Sequence, residues 1–351
     1  MNDKQVDSAP LLTIAIPTYN RALYLRKLLE SLFNQLIEEP RIELIVSDNA
    51  SVDNTHEAVA EYERRGLRIR LFRNEANLGP DANFLQCFER ARGKYVWIFG
   101  DDDILPSGSL GIVLGLLNRY MPDFIYVSPM EFRDVLPPAS YLVDRHGRSP
   151  AIIDNKNRFA QMVGNMLTLV TCNIVNKSRI AALSHAPFEE LIGTSLVHLG
   201  WSLPLLDDLE SGIYVYDQLV AVRAGNRGGY SVVNVFGKNF KTITDYLLGP
   251  HSKLTRILQT DVIRYCLTFM ILEVRSSRFG DFSEERFHSE LQPLYGRKLN
   301  YWLFLFPIAS GPIWLAKQWF FLIRAFRKMQ NLLVPFAFSS NGRMNSKRCK
   351  A

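Results

Sequence analysis

Short apolar runs and longer segments with helical spacing alternate along the opening part of the chain. Residues 11–17 form a short, continuous apolar run, the pattern of a strand buried on both faces in a parallel sheet. Leu25, Leu28, Leu29, Leu32, Phe33 and Leu36 then recur at the spacing of one helix face. A second strand is predicted over residues 42–46, a polar helix near 54–65, a third strand over 67–72 and a helix near 81–91. The strand predicted over 95–99 runs directly into Gly100-Asp101-Asp102-Asp103, and a helix over 109–119 and a strand over 124–127 follow. Beyond a Pro-rich loop at 129–150, residues 155–230 read as mainly helical, with a strand near 212–222, and residues 257–279 read as one amphipathic helix. Strands alternating with helices predict an α/β fold built on a doubly wound, mostly parallel sheet. Ligands of such sheets gather beyond the carboxyl ends of the strands.

Each predicted strand end is polar. Thr18-Tyr19-Asn20-Arg21 follows the first strand, Asp48-Asn49 the second, residues 74–81 the third and the Asp triplet the fourth. The four clusters converge on one edge of the sheet, which makes that edge the candidate site. A carboxylate pair directly after a buried strand suits a hard cation, Mn²⁺ or Mg²⁺, that bridges one carboxylate to a diphosphate. The alternative is a solvated acidic turn capping the helix after Pro106; the repulsion among three adjacent acids favours the cation. Asp48 offers an acceptor to a ring N–H of a pyrimidine base, or helps Ser51 and Asp53 to cap the next helix. Gly79 permits a close backbone approach to a ligand.

Charge and composition narrow the function classes. Apolar residues make up 47% of the 351, enough for a sizeable core. The net charge of +6 belongs to one end: ten of the 41 Lys and Arg lie beyond Glu290 and none of the 35 acids does. The preceding residues therefore carry 31 basic against 35 acidic side chains. Cys87, Cys172, Cys266 and Cys349 form no CxxC pair, which fits a reducing cytoplasm. The polar opening MNDKQVDSAP lacks a hydrophobic signal core. No G-x-G-x-x-G follows the first strand, which argues against a dehydrogenase.

Residues 13–21 (TIAIPTYNR), 46–55 (VSDNASVDNT), 77–83 (NLGPDAN) and 93–105 (GKYVWIFGDDDIL) together resemble the family 2 glycosyltransferases of GT-A fold, in order and spacing as well as in residues. The resemblance covers residues 10–125 firmly and extends loosely to about 230. The Asn-Leu-Gly-Pro-Asp variant and the Gly-Asp-Asp-Asp ending look most like the abequosyltransferase-type enzymes of O-antigen synthesis, which use a CDP-linked dideoxyhexose. The resemblance implies that Pro17, Tyr19 and Arg21 border the nucleotide and that Asp48 faces the base. It further implies that Asn77, Gly79 and Asp81 line the diphosphate and sugar side, that Asp101 and its neighbour Asp102 touch the ribose or sugar, and that Asp103, with Asp101, takes the metal. Arg227, in a glycine-flexible segment, is placed to clamp the diphosphate, the alternative being a surface turn. The chain departs from the family where a catalytic carboxylate is expected. Between Gly193 and Gly200 the titratable group is His198, whose ordinary pKa suits a general base; packing beside Trp201 is the alternative, and Glu189 and Glu190 are rivals for the role. An inverting displacement is implied by the resemblance alone. A sugar nucleotidyltransferase is the enzymatic alternative, against which no Gly-rich, Lys- or Arg-bearing phosphate loop follows the first strand. A non-catalytic carbohydrate-binding protein on the same fold is the other.

The remaining chain reads differently. Residues 299–316 are uncharged but interrupted by Pro307, Gly311 and Pro312, which weakens a membrane-spanning reading. Lys317, Arg324 and Lys328 then share one side of a predicted helix whose remainder carries Trp314, Trp319, Phe320, Phe321 and Ile323. That pattern predicts an interfacial helix on an anionic membrane surface, with core packing or a homodimer contact as the alternatives. Nucleic acid is not an expected partner, because the aromatics join aliphatic bulk instead of a basic stripe. The expected organisation is a disordered leader (1–10), a GT-A domain (11–235), a helical extension (236–298), a membrane-associating segment (299–338) and a disordered basic tail (339–351). A peripheral place on the cytoplasmic face of the plasma membrane, beside a lipid-linked oligosaccharide acceptor, follows from that organisation.

Overall fold

The structure, a computed structural model, describes residues 9–133, 148–183, 187–224, 229–276 and 286–333. The chain divides into two compact units, Met1–Val262 and Ile263–Ala351.

The first unit is built on an eight-stranded sheet. Its parallel half follows from the apolar runs: β1 (Leu12–Thr18), β2 (Ile42–Asp48), β3 (Ile69–Arg73) and β4 (Tyr95–Ile98). All seven residues of β1 are buried, as a central strand covered on both faces requires. The connecting helices are α1 (Ala22–Leu36), α2 (Thr55–Arg64) and α3 (Pro80–Arg90). Helix α1 buries Leu25, Leu28, Leu29 and Leu32 completely, the apolar stripe seen in the sequence. Next come α4 (Ser109–Tyr120), β5 (Phe124–Phe132), β6 (Ala151–Ile153), α5 (Lys156–Val163), β7 (Asn173–Asn176), α6 (Lys177–Ala182), α7 (Leu199–Asp207) and β8 (Gly212–Arg223). Helices α8 (Phe240–Leu248) and α9 (Lys253–Asp261) complete the unit.

The strand order is β3-β2-β1-β4-β7-β5-β8-β6, and the sheet is mixed, where a mostly parallel one is expected. Strand β7 runs antiparallel between β4 and β5, and β6 antiparallel against β8. Asn173-Ile174-Val175-Asn176 hides this strand because polar residues bracket only two apolar ones. The Nδ2 of buried Asn173 donates to the carbonyls of Leu169, Met166 and Leu167, while its Oδ1 has no partner among the described residues. The amphipathic helix expected over 257–279 is also broken: α9 stops at Asp261, a π-helical turn spans Val262–Cys266 and α10 covers Leu267–Arg275. Residues 277–279 of that expectation lie outside the described residues.

The register places the ends of β1, β2, β3 and β4 side by side. Asn49 N–H donates to the Thr18 carbonyl and Asn74 N–H to the Asp48 carbonyl, both at 2.9 Å. At the opposite edge the buried Glu43 carboxylate accepts from Thr13 Oγ1 at 2.6 Å, from Arg92 N–H at 2.8 Å and from the Arg70 guanidinium.

The second unit contains α10, α11 (Phe287–Tyr295), a π-helical turn (Tyr301–Leu305), α12 (Phe306–Ser310) and α13 (Ile313–Leu333). Arg264 donates twice to Asn300 Oδ1, at 3.0 and 2.8 Å, and Arg275 reaches the carbonyls of Gly311 and Ile308. Ala316 and Ile323 of α13 are buried, while Trp314 is 62% and Phe321 72% exposed. No helix among the described residues is long and apolar enough to cross a membrane.

The glycine before β4 shows how tightly the frame is packed. A Cβ at Gly93 would meet Thr13 N at 2.5 Å and Leu12 C at 2.8 Å, both main-chain atoms. Gly93→Ala is therefore expected to destabilise the first unit by roughly 1–3 kcal/mol, read as a lowered midpoint in urea unfolding. An unchanged midpoint would show that β1 yields there.

Candidate functional site

The Asp triplet forms the turn that leaves β4, and neighbouring elements hold it from three sides. Thr18 Oγ1 at the end of β1 donates to Asp101 Oδ2 at 2.8 Å, and Arg21 Nη1 donates to Asp101 Oδ1 at 2.9 Å. The same Arg21 nitrogen lies 3.2 Å from Asp102 Oδ2. Asp103 turns the other way. Its Oδ2 accepts from Thr171 Oγ1 at 2.6 Å and its Oδ1 from Arg223 N–H at 2.9 Å. Ile104 and Ala221 exchange two backbone hydrogen bonds of 2.9 Å and fix the turn to β8. The helix after Pro106 is capped without help from the triplet, because Gln35 Oε1 of α1 accepts from the N–H groups of Gly108 and Leu110.

Burial decides the electrostatics here. It pushes the Asp101 carboxyl up to about 6 against the pull of Arg21. Asp103, also buried, is pushed up to about 7 against its bond from Thr171. Burial draws the Arg21 guanidinium down, but Asp101 and Asp102 outweigh it and leave its pKa raised. Asp103 is expected to take a metal, yet both its oxygens are committed within the protein; Asp102 is the least buried of the three.

A second cluster gathers at the ends of β2 and β3. Asp48 is buried, its Oδ1 accepting from Ser51 N–H at 2.9 Å and its Oδ2 lying 3.6 Å from Arg73 Nε. Asn49 forms the hub. Its amide nitrogen donates to Asn77 Oδ1 at 2.8 Å and to the Gly79 carbonyl at 3.1 Å, while its oxygen accepts from Asn74 Nδ2 and Leu78 N–H. Gly79 adopts φ +84°, which only glycine reaches without strain, and α3 begins at the next residue. Pro17 is buried within β1, whereas Tyr19 is 42% exposed at the rim. Asp53 ties two helix starts together, accepting from Ala22 N–H of α1 and Thr55 N–H of α2.

Two residues stand differently from expectation. Asp81 does not face an open diphosphate side: it is buried, and its carboxylate accepts the N–H groups of Gly193, Ser195 and Val197. His198 is buried at the start of α7, with Nε2 unpartnered among the described residues. Burial pushes its pKa down to about 4, against hydrogen bonds with the backbone of Thr168 and Leu167. An imidazole sealed from solvent and weakly basic is a poor proton acceptor near neutrality. Glu189 and Glu190 are exposed, and Glu190 Oε2 accepts from Tyr246 Oη at 2.8 Å. Arg227 lies outside the described residues. Thr171 and Arg223 carry no local sequence signal for these roles, whereas Asn49 already stands beside Asp48 in the polar end of the second strand.

With this geometry the comparisons with known proteins agree. Residues 13–178 match the family described as Glycosyl transferase family 2. Abequosyltransferase RfbV of Salmonella typhimurium is 46% identical over 109 residues, 31% of this chain and 33% of that protein. A GalNAc(5)-diNAcBac-PP-undecaprenol beta-1,3-glucosyltransferase of Campylobacter jejuni is 34% identical over 111 residues, again 31% of this chain and 35% of that protein. The chain thus spans about a third of the length of the curated relatives it matches. Among solved structures, S. aureus TarS 1–349 in complex with UDP-GlcNAc superposes with a TM-score of 0.60, covering 96% of this chain and 95% of that one at 14% identity, which is a likeness of fold. The strand ends that carry the acidic turn, from β1 through β7, lie within the residues that match Glycosyl transferase family 2.

Proposed function

We propose that the chain is a nucleotide-sugar-dependent glycosyltransferase that adds a sugar to a lipid-linked oligosaccharide during cell-surface polysaccharide synthesis. The observation that carries the reading is the convergence of Thr18, Arg21 and the Asp triplet at the carboxyl ends of β1 and β4. Likeness to the abequosyltransferase supports an abequose-type sugar, and the motif resemblance implies a CDP-linked dideoxyhexose as donor and an O-antigen-type product. The glucosyltransferase named for an undecaprenol-linked substrate supports the lipid-linked acceptor. Asp48 would meet a base N–H through Oδ2, which lies 3.6 Å from Arg73 Nε, with Tyr19 at the rim.

No group of three or more His, Cys, Asp or Glu among the described residues has the arrangement of an all-protein metal site. Mn²⁺ or Mg²⁺ held by one carboxylate, a diphosphate and water needs no such group, and the acidic turn fits that mode. Asp102 would hold the cation, with Asp101 steadied behind it by Thr18 and Arg21 and with Asp103 as a buried strut. The cation, when bound, neutralises charge on the leaving nucleoside diphosphate. With His198 sealed, an acceptor hydroxyl loses its proton to an exposed carboxylate, Glu189 or Glu190, in a single inverting displacement.

The second unit supports a peripheral place on the cytoplasmic face of the plasma membrane. Trp314, Phe321 and Leu322 project from α13, with exposed Lys317 and Arg324 along one edge. Bulky apolar residues beside cations, with no acid after Glu290, suit an anionic bilayer surface.

A thermal-shift screen of CDP-, UDP-, GDP- and dTDP-sugars with and without Mn²⁺ is expected to show metal-dependent stabilisation by a CDP-sugar. Failure of every nucleotide to stabilise the protein would overturn the proposed function. Asp102→Ala should lower kcat by roughly 10²–10³-fold, as loss of a group stabilising developing charge does. The raised carboxyls set a pH trend for the metal-free protein. The folded state binds protons that unfolded aspartates release near pH 3.9, so the site's contribution to stability is present at low pH. It is lost as pH rises from about 4 to about 7, and Asp103→Asn should flatten that fall in Tm. For the membrane, the wild type should float with phosphatidylglycerol vesicles and the double variant Trp314→Glu, Phe321→Glu should not. Undiminished flotation of the variant, or a dimer held through this face, would refute membrane docking through α13.

A further inference from the structure

The first turn of α3 faces two ways. Gly79 N–H donates to Asn77 Oδ1 at 2.9 Å, inside the Asn49 cluster that borders the donor edge. Two residues later Asp81 sends its carboxylate away from that edge. Oδ2 accepts from Gly193 N–H at 2.8 Å and from Ser195 N–H at 2.7 Å, and Oδ1 accepts from Val197 N–H at 3.3 Å. Gly193 at φ +89° and Ser195 at φ +62° are both left-handed, and this brings alternate amides to one side of the loop. Backbone turned in this manner makes a concavity that binds anions, and here the anion is a side chain more than a hundred positions earlier in the chain. A second tie comes from behind, where Asn239 Nδ2 donates to the Thr194 carbonyl at 3.0 Å. The outer side of the loop stays open: Ile192 is 44% exposed and Ser195 is exposed. Glu189 and Glu190 precede the loop and α7 follows it.

We propose that Asp81 is a positioning residue that moulds residues 193–197 into the acceptor-facing wall and locks that wall to the donor edge through the first turn of α3. Its role is to hold the loop, without touching the nucleotide. The inference rests on the glycosyltransferase reading of the site. A carboxylate is required because it offers acceptors alone; an amide in its place presents N–H groups to N–H groups and leaves buried donors unpaired.

The test compares the wild type with Asp81→Asn and Gly193→Ala. A Cβ at Gly193 meets nothing within 4 Å, so that substitution acts through its positive φ alone and disturbs the loop without touching Asp81. Three quantities are read: amide hydrogen exchange across 193–197, affinity for CDP, and transfer from the CDP-sugar to lipid-linked saccharides extracted from cell membranes, beside hydrolysis of the same donor by water. Both variants are expected to exchange those amides at least about tenfold faster and to raise the acceptor KM about tenfold, while CDP affinity and donor hydrolysis hold within about twofold. Asp81→Asn that weakens CDP binding about tenfold would make Asp81 a donor contact and overturn the proposal. Unchanged exchange, or unchanged transfer with accelerated exchange, would also overturn it. Wild-type protein that binds no nucleotide and transfers no sugar would remove the function itself, an outcome distinct from either variant result.

Discussion

Three neighbouring carboxylates at the end of a buried strand repel one another, and much of the first unit is arranged around that repulsion. The acids divide their partners between two sides. Asp101 takes the hydroxyl of Thr18 and the guanidinium of Arg21, Asp102 stays at the open side near the same Arg21, and Asp103 goes inward to Thr171 and the Arg223 amide. Dividing the charges this way leaves two carboxyls buried with raised pKa values and one partly buried. A cation beside Asp102 would complete the balance that Arg21 begins. The turn is thus both a structural joint between β4 and β8 and the most charged point of the proposed donor site.

The proposed donor edge is legible in the sequence because its signals are local. Each strand is a run of apolar residues, each polar cluster begins where a run ends, and parallel pairing carries all four clusters to one edge without any long-range information. Strand β7 escaped because two apolar residues between asparagines have no period to detect. Thr171 and Arg223 escaped because their roles exist only across 68 and 120 positions of chain. Asp102 and Asp103 are the same residue type, side by side; which one faces a ligand depends on side-chain direction, a property of the fold. His198 shows the same limit. Its chemistry suggests a base, but its burial at the start of α7 comes from packing that no motif announces.

The two units divide the work along the chain. The acidic and amide-rich chemistry lies in the first, whereas the uncompensated positive charge belongs to the second. Helix α13 buries one stripe and leaves bulky apolar residues on the other side, so packing within its own unit accounts for only half of its sequence.

Thr171 has one further consequence, for the order in which the molecule becomes itself. Its hydroxyl donates to Asp103 while accepting the Gly100 N–H, and Arg223 closes the other oxygen of the same carboxylate. A nascent chain that has made β1 through β4 already holds every motif of the donor edge, yet its acidic turn has no partners on the far side. The turn sets only when synthesis reaches the end of β8. Pairings of such sequence separation form late and slow folding, so under the proposed function ligand capture belongs to the finished sheet and is withheld from the half that encodes its motifs.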